Sequence, residues 1–215
     1  MNRRDFSAFT ATLIGAAYSS STLAQAGIPV EGKHFSLVDQ TVLPTVPKAG
    51  TIEVLEFFSY ACPHCNDFEP IVATWKRTLG QDVRFHRVPV PFLMNSENLM
   101  RTYYALETLG KVEAMQLKVF STIHTEHKYL EKPADIAALM AKNGVDATKF
   151  TGVFNSFSVA SSVTRAKKLM AAYKLDGVPT VTVQGRWATS PGQAGGLEQA
   201  LAVTDYLVQR SRTKT

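Results

Sequence analysis

The feature that most constrains this chain is a junction. Residues Thr51–Ser59 (Thr-Ile-Glu-Val-Leu-Glu-Phe-Phe-Ser) are apolar at nearly every position, and Cys62-Pro63-His64-Cys65 follows close behind. Such a run predicts a central strand covered on both faces. After the cysteines, Phe68, Ile71, Val72, Trp75 and Leu79 recur at three- and four-residue steps. That spacing predicts a helix with one apolar face, starting at the cysteine motif. Pro70 lies inside it and is expected to kink it, and Gly80 is expected to stop it. A buried strand that feeds directly into a helix indicates α/β architecture. Glu56 interrupts the apolar run, and a carboxylate there needs a partner or a proton.

The junction places Cys62 at a helix N-terminus, where free backbone N–H groups and the helix dipole favour negative charge. A thiolate is stabilised there and its pKa falls. Pro63 suits the first helical turn, which has no use for its missing N–H. His64, when protonated, adds positive charge beside the sulfur. Cys65 lies about one turn further and is expected to point inward. Stabilising the Cys62 thiolate stabilises the reduced pair, which makes the disulfide form oxidising and Cys62 a good leaving group. The chain has only two cysteines. A bridge between neighbours so close in sequence restrains the unfolded chain little, which favours chemistry over architecture. A lone Cys-x-x-Cys also fits a metal site or a structural bridge. Zinc would take two further Cys or His ligands. There is no second cysteine pair, and His34, His86, His124 and His127 are scattered, although the last two can share one helical face.

The element order predicted along the chain is β-β-α-β, a helical block, then β-β-α. Residues 27–50 are turn-rich and include a short edge strand near Phe35–Val38; Asp82–Val90 is the next strand after the cysteine helix. From about residue 95 to 165 helices follow one another. Ser96 caps the first, which ends at Leu109-Gly110; Val112–His124 is the second. Pro133 opens the third, which ends at Asn143-Gly144; Asp146 caps a fourth through Phe154, and a long fifth covers about Ser158–Lys174. Thr180–Gln184 and Arg186–Ala188 predict a hairpin turning at Gly185, Thr189–Gly196 a Gly/Pro-rich loop, and Leu197–Arg210 a closing helix. Phe92, Met94, Met100, Tyr103, Tyr104 and Phe120 either line an apolar groove near the cysteines or belong to the core.

Hydrophobic residues make up 45% of the 215 residues and charged ones 19%, enough for one core or one domain carrying an insertion, and too apolar for bulk disorder. The formal net charge is +5, but the basic residues are spread along the chain, so no nucleic-acid footprint is expected. The N-terminus reads as an address. Arg3 and Arg4 precede an uncharged stretch from Phe6 to Tyr18, and Ala24-Gln25-Ala26 fits a cleavage site, so residues 1–26 are expected to be a signal peptide. The stretch is too short for a permanent span, although a retained anchor stays open. Arg3-Arg4-Asp5-Phe6 fits either a partial twin-arginine signal or an ordinary secretory n-region.

Gly177-Val178-Pro179-Thr180 precedes a strand. A proline after a β-branched residue suits a fixed turn there, as a cis bond or an ordinary trans one. A cis-proline loop can present a backbone edge to an extended peptide.

With Leu55-Glu56-Phe57-Phe58-Ser59-Tyr60-Ala61-Cys62-Pro63-His64-Cys65 and this downstream Gly-Val-Pro, the chain resembles the DsbA family of thiol:disulfide interchange proteins over essentially its whole length after residue 26. The resemblance implies a thioredoxin fold with an inserted helical domain: residues 27–92 and 166–215 form the thioredoxin-like domain, and 93–165 the insertion. It implies Cys62 as exposed nucleophile and site of the mixed disulfide, Cys65 as buried resolving cysteine, and His64 as tuner of the potential. It also implies a cis Pro179 facing the disulfide, with Val178 before it in the substrate-binding edge. Glu56 matches the family's buried acid, and serves either as a proton carrier for Cys65 or as a satisfied buried carboxylate. The resemblance likewise implies a lowered cysteine pKa and an oxidising disulfide. The expected activity is that of a monomeric periplasmic protein dithiol oxidase without a bound cofactor. Its partners would be reduced or unfolded exported proteins and a DsbB-like membrane quinone reductase. A reductase or isomerase on the same scaffold, and a non-catalytic metal- or peptide-binding module, are the rival readings. The sequence departs from the family's pattern at Ala61, where an aromatic is common, at Arg87, which stands for a lysine near Glu56, and in the proline-rich Val88–Phe92.

Overall fold

The computed structural model describes residues 27–39, 50–93 and 96–213. The proposed signal peptide, Pro44, Pro47 and Met94 lie outside them. The apolar run forms strand β2 (Ile52–Phe58), buried at every position but Glu53. Around it lie β1 (Ser36–Leu37), β3 (Val83–Pro89), β4 (Thr180–Val183) and β5 (Trp187–Thr189), in the order β1-β5-β4-β2-β3. β2 pairs parallel with β3, Leu55 opposite His86, and antiparallel with β4, Leu55 opposite Thr182. The parallel pair demands a crossover, which α1 (Pro63–Trp75) supplies. The β4–β5 hairpin turns on Gln184 and Gly185, both left-handed at φ 54° and 58°. That is the turn whose twist matches the strands, and it explains a glycine there.

Helices α2 (Ser96–Thr108), α3 (Val112–His124), α4 (Pro133–Lys142), α5 (Ala147–Phe154) and α6 (Phe157–Ala172) stand between β3 and β4, and α7 (Pro191–Ala194) and α8 (Leu197–Arg212) close the chain. The Asp146 carboxylate accepts from Lys149 N at 3.0 Å and caps α5. Ser156 Oγ accepts from Val159 N at 3.2 Å, so α6 begins before Ser158. Ser96 is the first residue inside α2, not its cap. The expected stop of α1 at Gly80 is corrected. The α-helix ends at Trp75 and a 3-10 turn over Lys76–Thr78 follows, its end tied by Thr78 Oγ1 donating to Trp75 O at 2.7 Å. The loop expected over Thr189–Gly196 contains the short α7, capped by Ser190. α6 runs unbroken through residues 165–166, so the boundary expected there falls inside a helix. The chain returns to the sheet only after Ala172.

Two apolar clusters flank the sheet. One joins Val54, Val181 and Val183 to Phe68 and Val72 of α1 and to Leu201 and Leu207 of α8. The other joins Leu55, Phe57 and Phe58 to Met100 and Leu106 of α2, Met115 and Phe120 of α3, and Phe150 of α5. β2 is therefore covered on both faces, which its composition required. Trp75 Nε1 donates to Asp205 at 2.8 Å and locks the end of α1 against α8. Among the described residues no helix is long and apolar enough to cross a membrane. Leu207 is fully buried in the first cluster. We expect Leu207→Ala to lower unfolding free energy by about 3 kcal/mol in denaturant titration, while leaving the redox equilibrium of the cysteines unchanged.

Candidate active site

The end of β2 delivers Ser59 and Tyr60 to the start of α1. Ser59 Oγ donates to Phe92 O at 2.9 Å and accepts from Ala61 N at 3.2 Å, while Cys62 N donates to Ser59 O at 3.1 Å. This tight turn sets Cys62 in extended geometry as the residue that caps α1, with Pro63 in the first turn. Cys62 and Cys65 are both thiols and both buried.

The expectation of an exposed Cys62 is corrected: the residue is only 2% accessible. Its S–H donates to Val178 O at 3.5 Å, so the Val178-Pro179 segment lies against it. Its neighbours Pro63 and His64 are exposed, which leaves the sulfur just beneath the surface. The Val178–Pro179 bond is cis.

The two sulfurs are held differently. The Cys62 thiol is lowered to about 6, first because the Cys65 thiol donates to it, and then because the backbone N–H groups of Cys65 and His64 point at it and His64 adds charge, against the opposing effect of burial. The helix N-terminus thus acts as expected, but a side-chain donor comes first. Burial and the Cys62 sulfur push the Cys65 thiol up.

Glu56 is 1% accessible and has the partner its position required. Arg87 Nε donates to Glu56 at 3.0 Å, and Arg87 Nη2 donates to Glu69 at 2.7 Å. Glu69 Oε2 also accepts from Gln116 Nε2 at 3.1 Å, and Gln116 Oε1 accepts from the Tyr60 hydroxyl. Burial pushes Glu56 up, and burial together with the Glu56 charge pushes Glu69 up to about 8. One guanidinium thus faces two buried carboxyl groups, and each is pushed toward its protonated form. The reading of the sequence passed over Glu69, Gln116 and Tyr60. Glu69 did leave a signal: it falls on the inward stripe of α1 with Cys65, Phe68 and Val72, where a charge is out of place. Gln116 and His124 left none, because only folding brings α3 beneath the motif. His124 Nε2–H donates to Tyr60 O at 2.8 Å.

Two hollows flank the cysteines. One, of about 640 Å³, lies between Ala61 and Pro63 on one side and Leu93, Leu99, Ile123 and Tyr129 on the other. Of the aromatics and methionines proposed for a groove, Met100, Tyr103 and Phe120 are core, Phe92 and Tyr104 pack against it, and none of these lines the hollow. The small Ala61 forms part of its wall instead. The second hollow, of about 280 Å³, is lined by His64, Gly177, Val178, Pro179 and Pro191 among others.

A dithiol at the head of a helix, one sulfur activated and its partner buried, facing a cis-proline on a thioredoxin-type sheet, defines a thiol:disulfide oxidoreductase. The DSBA-like thioredoxin domain family matches residues 72–201, and the chain belongs to that family. It is 38% identical over 205 residues to the thiol:disulfide interchange protein DsbA of Burkholderia cepacia, covering 94% of this chain and 96% of that one. It is 40% identical over 207 residues to that of Bordetella parapertussis, covering 95% and 97%. The crystal structure of Pseudomonas aeruginosa DsbA superposes with a TM-score of 0.80 at 36% identity, over 88% of this chain and 97% of that one.

Because the native pKa of Cys62 lies below the ordinary value of 9.0, its contribution to the stability of the reduced protein is present in full above that value and is lost as pH falls through about 6. Thiolate absorbance of the reduced protein should therefore titrate with a midpoint near 6. Cys65→Ala should raise that midpoint by roughly one unit, and His64→Ala by less. A larger effect from His64 would reverse the ranking of causes.

Proposed function

We propose that the protein is a periplasmic dithiol oxidase, exported by means of residues 1–26, that introduces disulfides into other exported proteins through Cys62 and Cys65. The observation that carries this reading is the placement of the two sulfurs: Cys62 caps α1 against the cis Val178–Pro179 segment and Cys65 is buried one turn on, so Cys62 is lowered to about 6 while Cys65 is pushed up. A reduced pair so stabilised makes the oxidised pair a strong electron acceptor.

In the oxidised protein a client thiolate attacks Cys62 Sγ. The Cys62–Cys65 bond breaks, its electron pair leaves on Cys65, and a client–Cys62 disulfide forms. Cys65 then takes up a proton, and Glu56 is its donor in this reading, a role that its raised pKa and its charge effect on Cys65 support. A second client thiolate attacks the client's own sulfur, and Cys62 departs as the thiolate that the helix start and Cys65 stabilise. The client has lost two electrons and the protein has gained them. A DsbB-like membrane quinone reductase would return those electrons to a quinone. Val178 and Pro179 would hold the client as an extended strand against their backbone edge. His64 acts by its charge, and Pro63 by fixing the first turn.

Equilibration with glutathione decides the direction. We expect the disulfide of this protein to be reduced by glutathione at ratios that leave a structural disulfide intact; a strongly reducing potential would favour the reductase reading. Single-turnover oxidation of a reduced client by Glu56→Gln, followed against pH, tests the proton role. The wild-type profile should lose a step in the variant, and an unchanged profile would reject the role.

A further inference from the structure

The hollow beside the cis-proline has an uneven charge pattern. Its ten lining residues include only two that ionise, His64 and Asp176, the latter next to Gly177. Asp176 is exposed. The Val178-Pro179 segment lines the same hollow, and its Val178 carbonyl lies 3.5 Å from Cys62 Sγ. A peptide joined through its cysteine to Cys62, and laid along this segment, enters the hollow that the Asp176 carboxylate lines. The remaining lining side chains, among them Thr180, Ser190, Pro191 and Leu197, carry no charge to offset that carboxylate.

We propose that Asp176 is a specificity-determining residue that favours clients with a lysine or arginine close to the reacting cysteine. The inference rests on the oxidase reading above and names a client class for the same site. The effect is local. Removal of residues 1–26, with Arg3, Arg4 and Asp5, takes the net charge from +5 to +4, so the long-range field disfavours cationic clients, and only a cation brought within hydrogen-bonding or ion-pair distance of Asp176 gains.

Pairs of single-cysteine peptides of identical composition test this, one with its lysines beside the cysteine and the other with them at the far end. Two such thiols convert the oxidised protein to its dithiol form and leave as one peptide disulfide. The measurement is the rate at which oxidised protein is consumed. A lysine also changes the reactivity of the peptide thiol itself. The readout is therefore the near-to-far rate ratio for the wild type divided by the same ratio for Asp176→Asn, in which that effect cancels. We expect this quotient to be about two to five, as for an exposed ion pair. Asp176→Glu should retain it and Asp176→Lys should invert it. A quotient of one, with both peptides consumed, overturns the role of Asp176 and leaves the oxidase reading standing. Failure of the wild type to transfer its disulfide to any peptide overturns both.

Discussion

The site depends on Cys62 standing at the head of α1, where the thiolate is favoured. Three donors converge on Cys62: the Cys65 thiol and the backbone N–H groups of Cys65 and His64. None of them works unless α1 starts at Pro63, and that start is fixed by the Ser59 turn on one side and by the anchoring of Trp75 to Asp205 on the other. The same geometry buries Cys65, which keeps its proton and remains a donor. One cysteine is activated because the other is not. The asymmetry comes from burial depth within a single helical turn, with no metal or cofactor invoked.

Beneath that pair lies the costliest feature of the core. Two carboxylates and a guanidinium are buried together, and removing them from water opposes folding unless every charge is paired. Arg87 meets this by forking between Glu56 and Glu69, which a single ammonium cannot do with the same planar geometry. The arginine at this departure from the family's pattern is therefore explained by the bonds it makes. The hydrogen bonds continue through Gln116 of α3 to Tyr60, so the helical block contributes directly to the floor of the site. Helices α2 to α6 are joined to the sheet by polar contacts at the site as well as by the shared apolar cluster.

Most of the architecture was legible before folding was considered. β2 announced itself by composition, α3 and α5 by periodicity and caps, and the hairpin by Gly185, because each signal is local and acts within a few residues. The errors also have local causes. The end of α1 differs from the expected one because Thr78 and a 3-10 turn close it ahead of Gly80.

The sequence by itself determined that two cysteines stand at a strand-to-helix junction, that a buried acid lies in the strand before them, and that a proline follows Val178 far downstream. Those facts depend only on residue order and short-range propensity. Only the tertiary structure decided that Val178 covers Cys62, that Glu69 and Gln116 complete the network around Arg87, and that Asp176 shares a hollow with His64. These contacts join residues separated by tens of positions in the chain. Their distances are set by how sheet and helices pack around a common core, and no local pattern encodes them.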